Sequence, residues 1–531
     1  MIWTVRLGAV GNLTADHQTC KKNRFRHASG IGASVLPVSE KAAAPLQCVR
    51  EGETRVTQLS RRTFIEMAGL AGAGLIGGCG GAINMTGADN FSVPVFSDVH
   101  FQPYINPFLP GDAALNPETV AANIALVAQL DAADTSQWPV IFQGSANAAN
   151  STPSAPGADT NYVLLTLALA SINQNLGSSP AVLFTGDFLG HGLDQLYPLY
   201  SANKTPAGAA AFVDKTLKFV LQQIRAAVGE VPVYFALGNC DSYTGYGPDS
   251  TFLANNAQQL YTLALNGTGN QQDVISSITN GGYYSVEPEG MNLMIIALNT
   301  FALSPGVTPD PAMIATQFTW FDAQLAKASQ AGKKVWLLMH APPGADEGTT
   351  GQPSNDNGQI TTATMMWTAA NQVTFMGILK KYPGVIAMSL AGHTHMDEFR
   401  LMSPGNALAI TAGISAFFGN NPAYKIFAMD GADLAPVDYA AVNCNLLATP
   451  SAFSSYYTFS QAYGLSGPLA TSLAELFPTL LASSAAKQQY QGAFRSGNNT
   501  STPITSTNWP VYWCGIGYMD QEEFTAAVNA F

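Results

Sequence analysis

Short apolar runs that each end in a histidine, an aspartate or an asparagine are the feature that most constrains how this chain folds. Five such runs occur, and short apolar runs closed by Gly or Asp are typical of buried parallel strands. Open α/β sheets place their ligands beyond the carboxyl ends of such strands. We therefore expect the metal-competent side chains that follow these runs to converge, although about 300 positions separate the first from the last. They are Asp98, His100, Asp187, Asn239, His340, His393 and His395.

The segments between these runs predict alternating strands and helices, the order of an α/β protein. Asn116 and Pro117 open the first helix, with Asn at the N-cap and Pro at the first helical position. We expect strands at 91–97, 181–185, 231–237, 283–286, 293–298, 334–339, 385–391, 407–412 and 424–429. We expect helices at 117–133, 161–175, 208–228, 313–331 and 362–381. The polar segments 143–160 and 344–360 are expected to be surface loops.

Composition and charge exclude two broad classes. The chain has 531 residues, of which 47% are hydrophobic and 11% charged, so it is not an intrinsically disordered protein. Residues 1–78 carry a formal charge of +5, which leaves −17 on the remainder of a chain whose net charge is −12. An acidic body without a Lys/Arg run lacks the electrostatic footprint of a nucleic-acid binder.

The basic leading segment predicts export. Arg61 and Arg62 precede an uncharged stretch at 67–78, which has the length of a signal h-region and is too short to span a bilayer. The arginine pair at 60–79 resembles a twin-arginine signal, and the residues before Cys79 resemble a lipobox that would add a lipid anchor. We expect residues 1–60 to be disordered or an added extension. A buried amphipathic start is the alternative interpretation of the arginine segment.

Four cysteines remain after export, and two of them form a candidate disulfide. Cys444 and Cys514 lie in the last quarter of the chain, away from the metal-competent motifs. An exported protein can oxidise such a pair. Two buried free thiols are the alternative, and the sequence leaves both open.

The seven metal-competent residues match the needs of a two-ion site. Two divalent ions about 3.5–4 Å apart can activate a water and stabilise the oxygens of an in-line phosphoryl displacement. Such a site needs a bridging carboxylate, imidazoles that complete each shell, and neutral oxygen ligands where more negative charge would repel the substrate. A Gly before Asp187, Asn239 and His393 allows a tight turn with close backbone approach. Each residue alone has a plainer interpretation as a turn or loop residue, but the joint pattern favours a metal site.

In this order, the motifs DxH, GD, GNxD, H and GHTH resemble the calcineurin-like metallophosphoesterase superfamily. Over about residues 92–525 the chain also resembles acid sphingomyelinase-like phosphodiesterases. The segments that carry this narrower resemblance are Gly186–His191, Leu298–Thr300, Gln317–Phe321, Lys334–Gly344, Asn421–Tyr424 and Asp438–Tyr439.

The resemblance implies a fold and a ligand set. The implied fold is a four-layer α/β/β/α sandwich at 91–440, reached through a linker at 80–90 and followed by a small, mainly helical subdomain at 441–531. One ion is implied to be held by Asp98, His100, Asp187 and His395. The other is implied to be held by Asp187, which bridges the two ions, and by Asn239, His340 and His393. The ions are expected to be Zn²⁺, with Mn²⁺ or Fe as alternatives.

One position departs from the family pattern. Cys240 stands where the family commonly has a histidine that helps protonate the leaving group or contacts the phosphate. A thiol is a poor substitute for an imidazole in proton transfer, and a small buried residue is the plainer interpretation of Cys240. His191 matches a second family histidine, so we assign it as the general acid. We expect Asp241 to orient a neighbouring histidine.

The resemblance implies an exported phosphodiesterase in which a metal-bridging hydroxide attacks the phosphate ester in line. The substrate is expected to be a small phosphate ester or a lipid headgroup. The expected location is the periplasm or a lipid anchor on the envelope, reached through the twin-arginine export machinery. A phosphomonoesterase or nucleotidase on the same fold is the alternative enzyme. A catalytically silent envelope binding protein is the alternative from another class, and Cys240 is the feature in its favour.

Overall fold

The structure of the protein is a computed structural model, which describes residues 90–106, 116–144, 151–307, 310–351, 358–498 and 503–531. All of these residues belong to one compact unit. The expected extension, the export signal with Cys79 and the linker up to residue 89 lie outside the described residues.

Two six-stranded mixed sheets lie at the centre of the molecule. The strands of the first sheet are, in spatial order, β12 (Phe453–Thr458), β11 (Pro436–Cys444), β10 (Ala423–Met429), β1 (Phe91–Phe96), β2 (Val182–Phe184) and β3 (Val233–Phe235). Those of the second sheet are β4 (Tyr284–Val286), β5 (Leu293–Ala297), β6 (Lys334–Leu338), β7 (Ile386–Ala391), β9 (Asn406–Ile410) and β8 (Glu398–Ser403).

Fifteen α-helices surround the sheets in the part of the chain that the structure describes. Those up to the last ligand-bearing strand are α1 (Pro117–Ala132), α2 (Trp138–Gly144), α3 (Tyr162–Gln174), α4 (Leu193–Tyr200), α5 (Pro206–Val228), α6 (Ser250–Gln259), α7 (Gln271–Gly281), α8 (Pro311–Gln330), α9 (Glu347–Thr350) and α10 (Ala369–Leu379). Those near the carboxyl terminus are α11 (Phe459–Tyr463), α12 (Leu469–Ala482), α13 (Ser484–Phe494), α14 (Trp509–Gly517) and α15 (Gln521–Asn529).

The second sheet explains why its strands read as continuous apolar runs. Along β5, Leu293 and Ile295 pack into the core shared with the first sheet, whereas Met294 and Ile296 pack with α8 and α10. Both faces of the strand are therefore buried, so no polar alternation appears. Helices α3 and α5 share the core of the first sheet. The layers are thus α/β/β/α, which confirms the predicted fold class.

The expected parallel pairing is present within each sheet. β1, β2 and β3 are mutually parallel, and so are β5, β6, β7 and β9. The ends of these two parallel sets supply the loops that carry the metal-competent residues. The candidate site is therefore built from both sheets.

The sequence predicts one helix start correctly and another incorrectly. The predicted start of α1 is confirmed, because Asn116 Oδ1 accepts a hydrogen bond from Glu118 N at 2.8 Å and Pro117 is the first helical residue. The helix predicted at 362–381 begins only at Ala369. Residues before it pair with the loop after β6 instead: Met366 N donates to Gly344 O at 2.9 Å. Tertiary hydrogen bonds thus replace the first two turns of the expected helix.

The region after the last metal-competent motif contains more strand than expected. The expected boundary at residue 440 falls within β11, and β12 extends the first sheet to Thr458. The helical segment therefore begins with α11, at Phe459. Of the described helices, no single one is both long and apolar enough to cross a membrane; α12 and α13 meet that criterion only as a pair bent by 113°.

The candidate disulfide is not formed. Cys444 at the end of β11 and Cys514 in α14 are both free and fully buried. Burial raises the pKa of each thiol to about 12. The alternative left open by the sequence, two buried free thiols, is what the structure contains.

Candidate metal centre

Loops from the two sheets meet at the candidate metal centre. The loops after β1 and β2 hydrogen-bond to each other, since Asp98 N donates to Gly186 O at 2.9 Å and His100 N donates to Asp187 O at 3.0 Å. In the second sheet, Gly392 N donates to His340 O at 3.0 Å and so joins the loops after β6 and β7. All seven sequence-predicted ligands lie on these four loops and on the loop after β3.

Asp98, His100 and His395 form the first group of ligand atoms. Their ligand atoms all lie within 4.8 Å of one another. Nε2 of His100 is 3.1 Å from Nε2 of His395, and Asp98 Oδ1 is 3.7 and 3.5 Å from these two nitrogens. Two sheets contribute to this group, because Asp98 and His100 follow β1 whereas His395 follows β7.

Asp187, His340 and His393 form the second group, with Asn239 beside it. Nε2 of His340 lies 3.1 Å from Asp187 Oδ2, 3.2 Å from Asn239 Oδ1 and 3.2 Å from His393 Nδ1. The same Asp187 oxygen is 3.2 Å from Nε2 of His100 in the first group. Asp187 therefore lies between the two groups.

The tautomers of the rings test whether a cation fits here. The Nδ1 atoms of His100, His340 and His395 lie 3.1, 2.8 and 3.2 Å from the backbone carbonyls of Leu189, Thr185 and Ser415, respectively. In each neutral ring Nδ1 therefore carries the proton and donates it, which leaves a lone pair on Nε2. The two inward lone pairs of the first group face each other and a carboxylate at about hydrogen-bond distance. Acceptors grouped in this way repel one another unless a proton or a metal ion lies among them. Burial lowers the pKa of His100 and of His340, but Asp187 outweighs burial and raises both. The site therefore attracts positive charge, and the donor set fits a metal ion at each group.

Burial favours the metal-binding form of two ligands. It lowers the pKa of His393 to about 3 and that of His395 to about 4. Both rings are therefore neutral over a broad pH range, and neutral imidazole is the form that binds a metal.

Five of the candidate ligands have a strained backbone conformation. Asp98, His100, Asp187, His393 and His395 all have positive φ, between 43° and 72°. Non-glycine residues in this region cost about 1–3 kcal/mol each and persist only where the surroundings impose them. The backbone at five of the seven candidate ligands is therefore held by the surrounding structure in a conformation that is locally unfavourable.

At two positions only glycine fits, because a carboxylate lies too close to the backbone to leave room for a Cβ. A Cβ on Gly238 would overlap the Asp187 carboxylate, and one on Gly392 would overlap Ser97 and the Asp98 carboxylate. The predicted close backbone approach before Asn239 and His393 is therefore present.

Asp241 has a different role from the one we expected. Its two carboxylate oxygens accept hydrogen bonds from the backbone N–H groups of Asp187, Phe188, Leu189 and Gly238 at 2.8–3.3 Å. It fixes the loop that carries Asp187 rather than accepting a hydrogen bond from a histidine ring. The correction has a simple physical reason: four backbone donors surround the carboxylate at the turn where β2 and β3 end.

His191 lies beside the first group and is tightly held. Its ring is stacked between His100, at a centroid distance of 4.2 Å, and Phe417, at 4.3 Å. Its Nδ1 is 3.0 Å from Asp159 Oδ1, and its backbone N donates to Asp159 Oδ2 at 2.9 Å. Burial lowers the pKa of His191, but Asp159 and Cys240 together outweigh burial and raise it to about 10. With Nδ1 engaged, the free Nε2 edge is the one available to a substrate.

The sequence did not single out Asp159. It lies in the polar segment 143–160, which reads as a surface loop, yet its side chain is only 6% exposed. Ser415 Oγ also donates to it at 3.1 Å. A pattern of small polar residues carries no signal for one buried carboxylate, so only the fold reveals this contact.

Cys240 lies beside His100 and His191. Its thiol is 5% exposed and lies within 4.8 Å of ligand atoms of His100 and His191. Cys240 N donates to Asp187 Oδ1 at 2.7 Å, so the backbone at this position helps to orient the carboxylate that lies between the groups.

Known proteins resemble this chain in sequence and fold. Sphingomyelinase phosphodiesterase D of Dictyostelium discoideum is 27% identical over 378 residues, which cover 66% of this chain and 77% of that protein. Acid sphingomyelinase-like phosphodiesterase 3b of Homo sapiens is 25% identical over 397 residues, which cover 70% of this chain and 81% of that protein. The solved structure of a dimetal phosphatase from Danio rerio aligns with 69% of this chain and 98% of its own, at 12% identity and a TM-score of 0.36.

The family model of calcineurin-like phosphoesterases matches residues 94–397, which is more than half of the chain and includes every candidate ligand. The chain therefore belongs to the calcineurin-like phosphoesterase family and is a metal-dependent phosphoester hydrolase whose curated relatives are acid sphingomyelinase-like phosphodiesterases.

Proposed function

We propose that this chain hydrolyses phosphodiesters at a two-ion centre held by the seven candidate ligands. The observation that carries the proposal is the position of Asp187 Oδ2, which is 3.2 Å from Nε2 of His100 and 3.1 Å from Nε2 of His340. This one oxygen touches an imidazole of each ligand group, as a bridging carboxylate must.

The donor set fits small divalent ions. A bound pair would activate the attacking water at neutral pH and stabilise negative charge on the phosphoryl oxygens. Imidazole, carboxylate and amide ligands suit Zn²⁺, and Mn²⁺ or Fe would suit the same atoms. Asn239 is an amide and not a carboxylate, which limits the negative charge that an anionic phosphodiester must approach.

His191 is the proposed general acid. Its Nδ1 is engaged by Asp159 and both of its faces are covered by rings, so the Nε2 edge is fixed beside the first ligand group. A proton held at Nε2 is available to the leaving oxygen of a bound ester. Asp159 acts through His191 by favouring its doubly protonated form and fixing its orientation, in the way that a carboxylate orients a catalytic imidazole.

The proposed substrates are phosphodiesters of a small molecule or of a lipid headgroup. The relatives at 25–27% identity are named as sphingomyelinase-type phosphodiesterases, which supports a diester over a monoester. We also propose that the chain is exported, on the strength of Arg61, Arg62 and the uncharged stretch at 67–78. Cell fractionation of a double Arg61→Lys, Arg62→Lys variant tests export: retention of the variant in the cytoplasm is expected, and unchanged export contradicts the proposal.

Metal analysis combined with two synthetic substrates tests the enzymatic proposal. We expect two ions per chain and faster hydrolysis of bis-p-nitrophenyl phosphate than of p-nitrophenyl phosphate. Asp187→Asn should lower kcat/KM by about 100-fold or more, because it weakens both ion positions together. Asp322→Asn, which removes an exposed carboxylate paired with Lys381, is the matched control. Faster monoester hydrolysis would favour a phosphomonoesterase, and an Asp187→Asn protein with full activity would contradict the site altogether.

A further inference from the structure

A buried lysine crosses from the first sheet to the second next to the candidate metal centre. Lys425 lies on β10 and is 2% exposed. Its Nζ pairs with Asp397 Oδ1 at 2.7 Å and donates to Ile410 O at 2.7 Å. Both partners belong to the second sheet, since Ile410 ends β9 and Asp397 directly precedes β8.

Each partner of this ion pair is connected to candidate ligands, one through the chain and the other through strand pairing. Asp397 follows His395 by two residues. On the other side, Lys425 is paired in register with Val95 of β1, the strand that leads into Asp98 and His100. Ile410 is paired with Ala391, the last residue before the Gly392–His395 loop.

The pair is supported on all sides, so its geometry is fixed. The Tyr457 hydroxyl donates to the second Asp397 oxygen at 2.7 Å. Tyr439 places its ring 4.7 Å from Lys425 Nζ, and its hydroxyl is 3.0 Å from that of Tyr457. Asp397 N donates to Phe494 O of α13 at 2.9 Å.

Both ligand groups draw on both sheets, and the ion pair lies nearest in sequence to the ligands of the first group. Asp98 and His100 come from the first sheet, and His395 comes from the second. A shift of one sheet against the other changes the distances from His395 to the other two ligands. Ligands held within one sheet, by contrast, move together.

We propose that the ion pair of Lys425 and Asp397 positions His395 against Asp98 and His100, and thereby sets the affinity of the first ligand group for its ion. This inference rests on the proposed two-ion function. Lys425 is a positioning residue that acts through the loop of His395 and does not touch the ions. The second group, in which Asp187 and Asn239 meet His340 and His393, is joined across the sheets by a separate contact, from His340 Nδ1 to Thr185 O at 2.8 Å, which does not involve Lys425.

Equilibrium dialysis of the full chain against Co²⁺ after treatment with a chelator tests this role. The wild type should bind two Co²⁺ per chain. Lys425→Met should weaken one of the two binding steps by about 10–100-fold, the usual effect of removing an outer support of a metal site, and leave the other step unchanged. Lys381→Met, which breaks the exposed pair with Asp322, should bind both ions as the wild type does.

A double variant separates positioning from stability. Lys425→Met alone leaves a buried carboxylate without its partner, which destabilises the fold. Adding Asp397→Asn removes that charge, so the melting temperature should recover while the weakened Co²⁺ step and its altered visible absorption remain. Wild-type binding of both ions by the double variant would overturn the inference. A wild-type chain that binds fewer than two ions would instead contradict the proposed function.

Discussion

Asp159 and His191 form a dyad in which one carboxylate accepts hydrogen bonds from both the backbone N–H and the ring Nδ1 of the same histidine, at 2.9 and 3.0 Å. Asp159 and His191 follow the first candidate ligand, Asp98, by 61 and 93 residues in sequence. The loop before α3 brings Asp159 to the ring of His191, and that ring stacks directly on His100. The proposed general acid is thus part of the metal centre.

Asp159→Asn should reduce turnover in a way that depends on the leaving group. A neutral amide orients the ring less strongly and removes the negative charge that favours the doubly protonated ring, so proton donation from Nε2 suffers. We expect a loss of about 10–100-fold for a diester with a poor leaving group, and a much smaller loss with p-nitrophenolate, which needs little protonation. The measurement is kcat for both substrates. Asp131→Asn, at the carboxylate that accepts a hydrogen bond from the Tyr197 hydroxyl, is the control. An equal loss on both substrates would contradict the assignment of His191 as the acid.

Gly238→Ala should empty the metal centre without unfolding the protein. The new methyl group would overlap the Asp187 carboxylate and displace it from both ligand groups. We expect activity to fall by about 100-fold or more, together with loss of bound metal measured by elemental analysis. Gly377→Ala in α10, where a Cβ meets nothing within 4 Å, should instead be neutral or stabilise the fold by about 0.5–1 kcal/mol. Retention of both ions by Gly238→Ala would contradict this prediction, because it would show that the turn at Gly238 can make room for a methyl group beside the Asp187 carboxylate.

A buried acidic cluster should make the fold more stable in acid. Asp346, Glu347 and Glu398 surround the single guanidinium of Arg400, which pairs with Glu347 at 2.7 Å. Burial raises the pKa of Glu347 to about 8 from 4.5, and Glu398 and Asp346 add to this while Arg400 opposes it. The folded state therefore binds more protons than the unfolded state between about pH 4.5 and 8, so this stabilisation is full in acid and is lost as pH rises.

Melting temperatures at pH 5 and pH 8 check this linkage. Glu347→Gln, compared with the wild type at a fixed metal concentration, should gain relative stability of roughly 1–3 kcal/mol between pH 5 and pH 8, because its amide cannot ionise. The exposed Glu289→Gln should change nothing at either pH. A variant that is weakened more at pH 8 than at pH 5 would mean that the ion pair with Arg400 outweighs burial.

Chelation should lower the melting temperature of the wild type and leave Asp187→Asn nearly unchanged. Without metal ions, the inward-facing acceptor atoms repel one another or take up protons, and metal binding to the folded state contributes directly to stability. Calorimetry with and without chelator measures the difference. An equal effect of the chelator on both proteins would place the stabilising ion away from Asp187.

The sequence predicts the candidate ligands, whereas it carries no signal for the residues that hold them in place. Asp98, Asp187 and His340 follow strands that are buried on both faces, and such strands are recognisable in sequence as continuous apolar runs. Parallel pairing then brings the ends of these strands together. Asp159 carries no comparable signal, because its burial depends on the loop before α3 folding over the site. Lys425 is similar: it lies within an apolar strand, and only the pairing of two sheets explains its charge.

Errors in the predicted elements have the same origin. The segment before Ala369 has helical character, yet hydrogen bonds to the loop after β6 give it an extended path. The strand β12 is short, exposed and rich in Ser and Tyr, so it reads as irregular until it is paired with β11. The expectation that Asp241 orients a histidine follows from the role that carboxylates beside metal ligands often take, and the sequence does not reveal the four backbone donors that surround it in space.

Anomalous diffraction from crystals grown with Zn²⁺ or Mn²⁺ locates each ion and so tests the two-ion centre itself. We expect two peaks about 3.5–4 Å apart, both in bonding contact with the Asp187 carboxylate, one near His100 and His395 and the other near His340 and His393. A single peak, or two peaks that do not share Asp187, would contradict it.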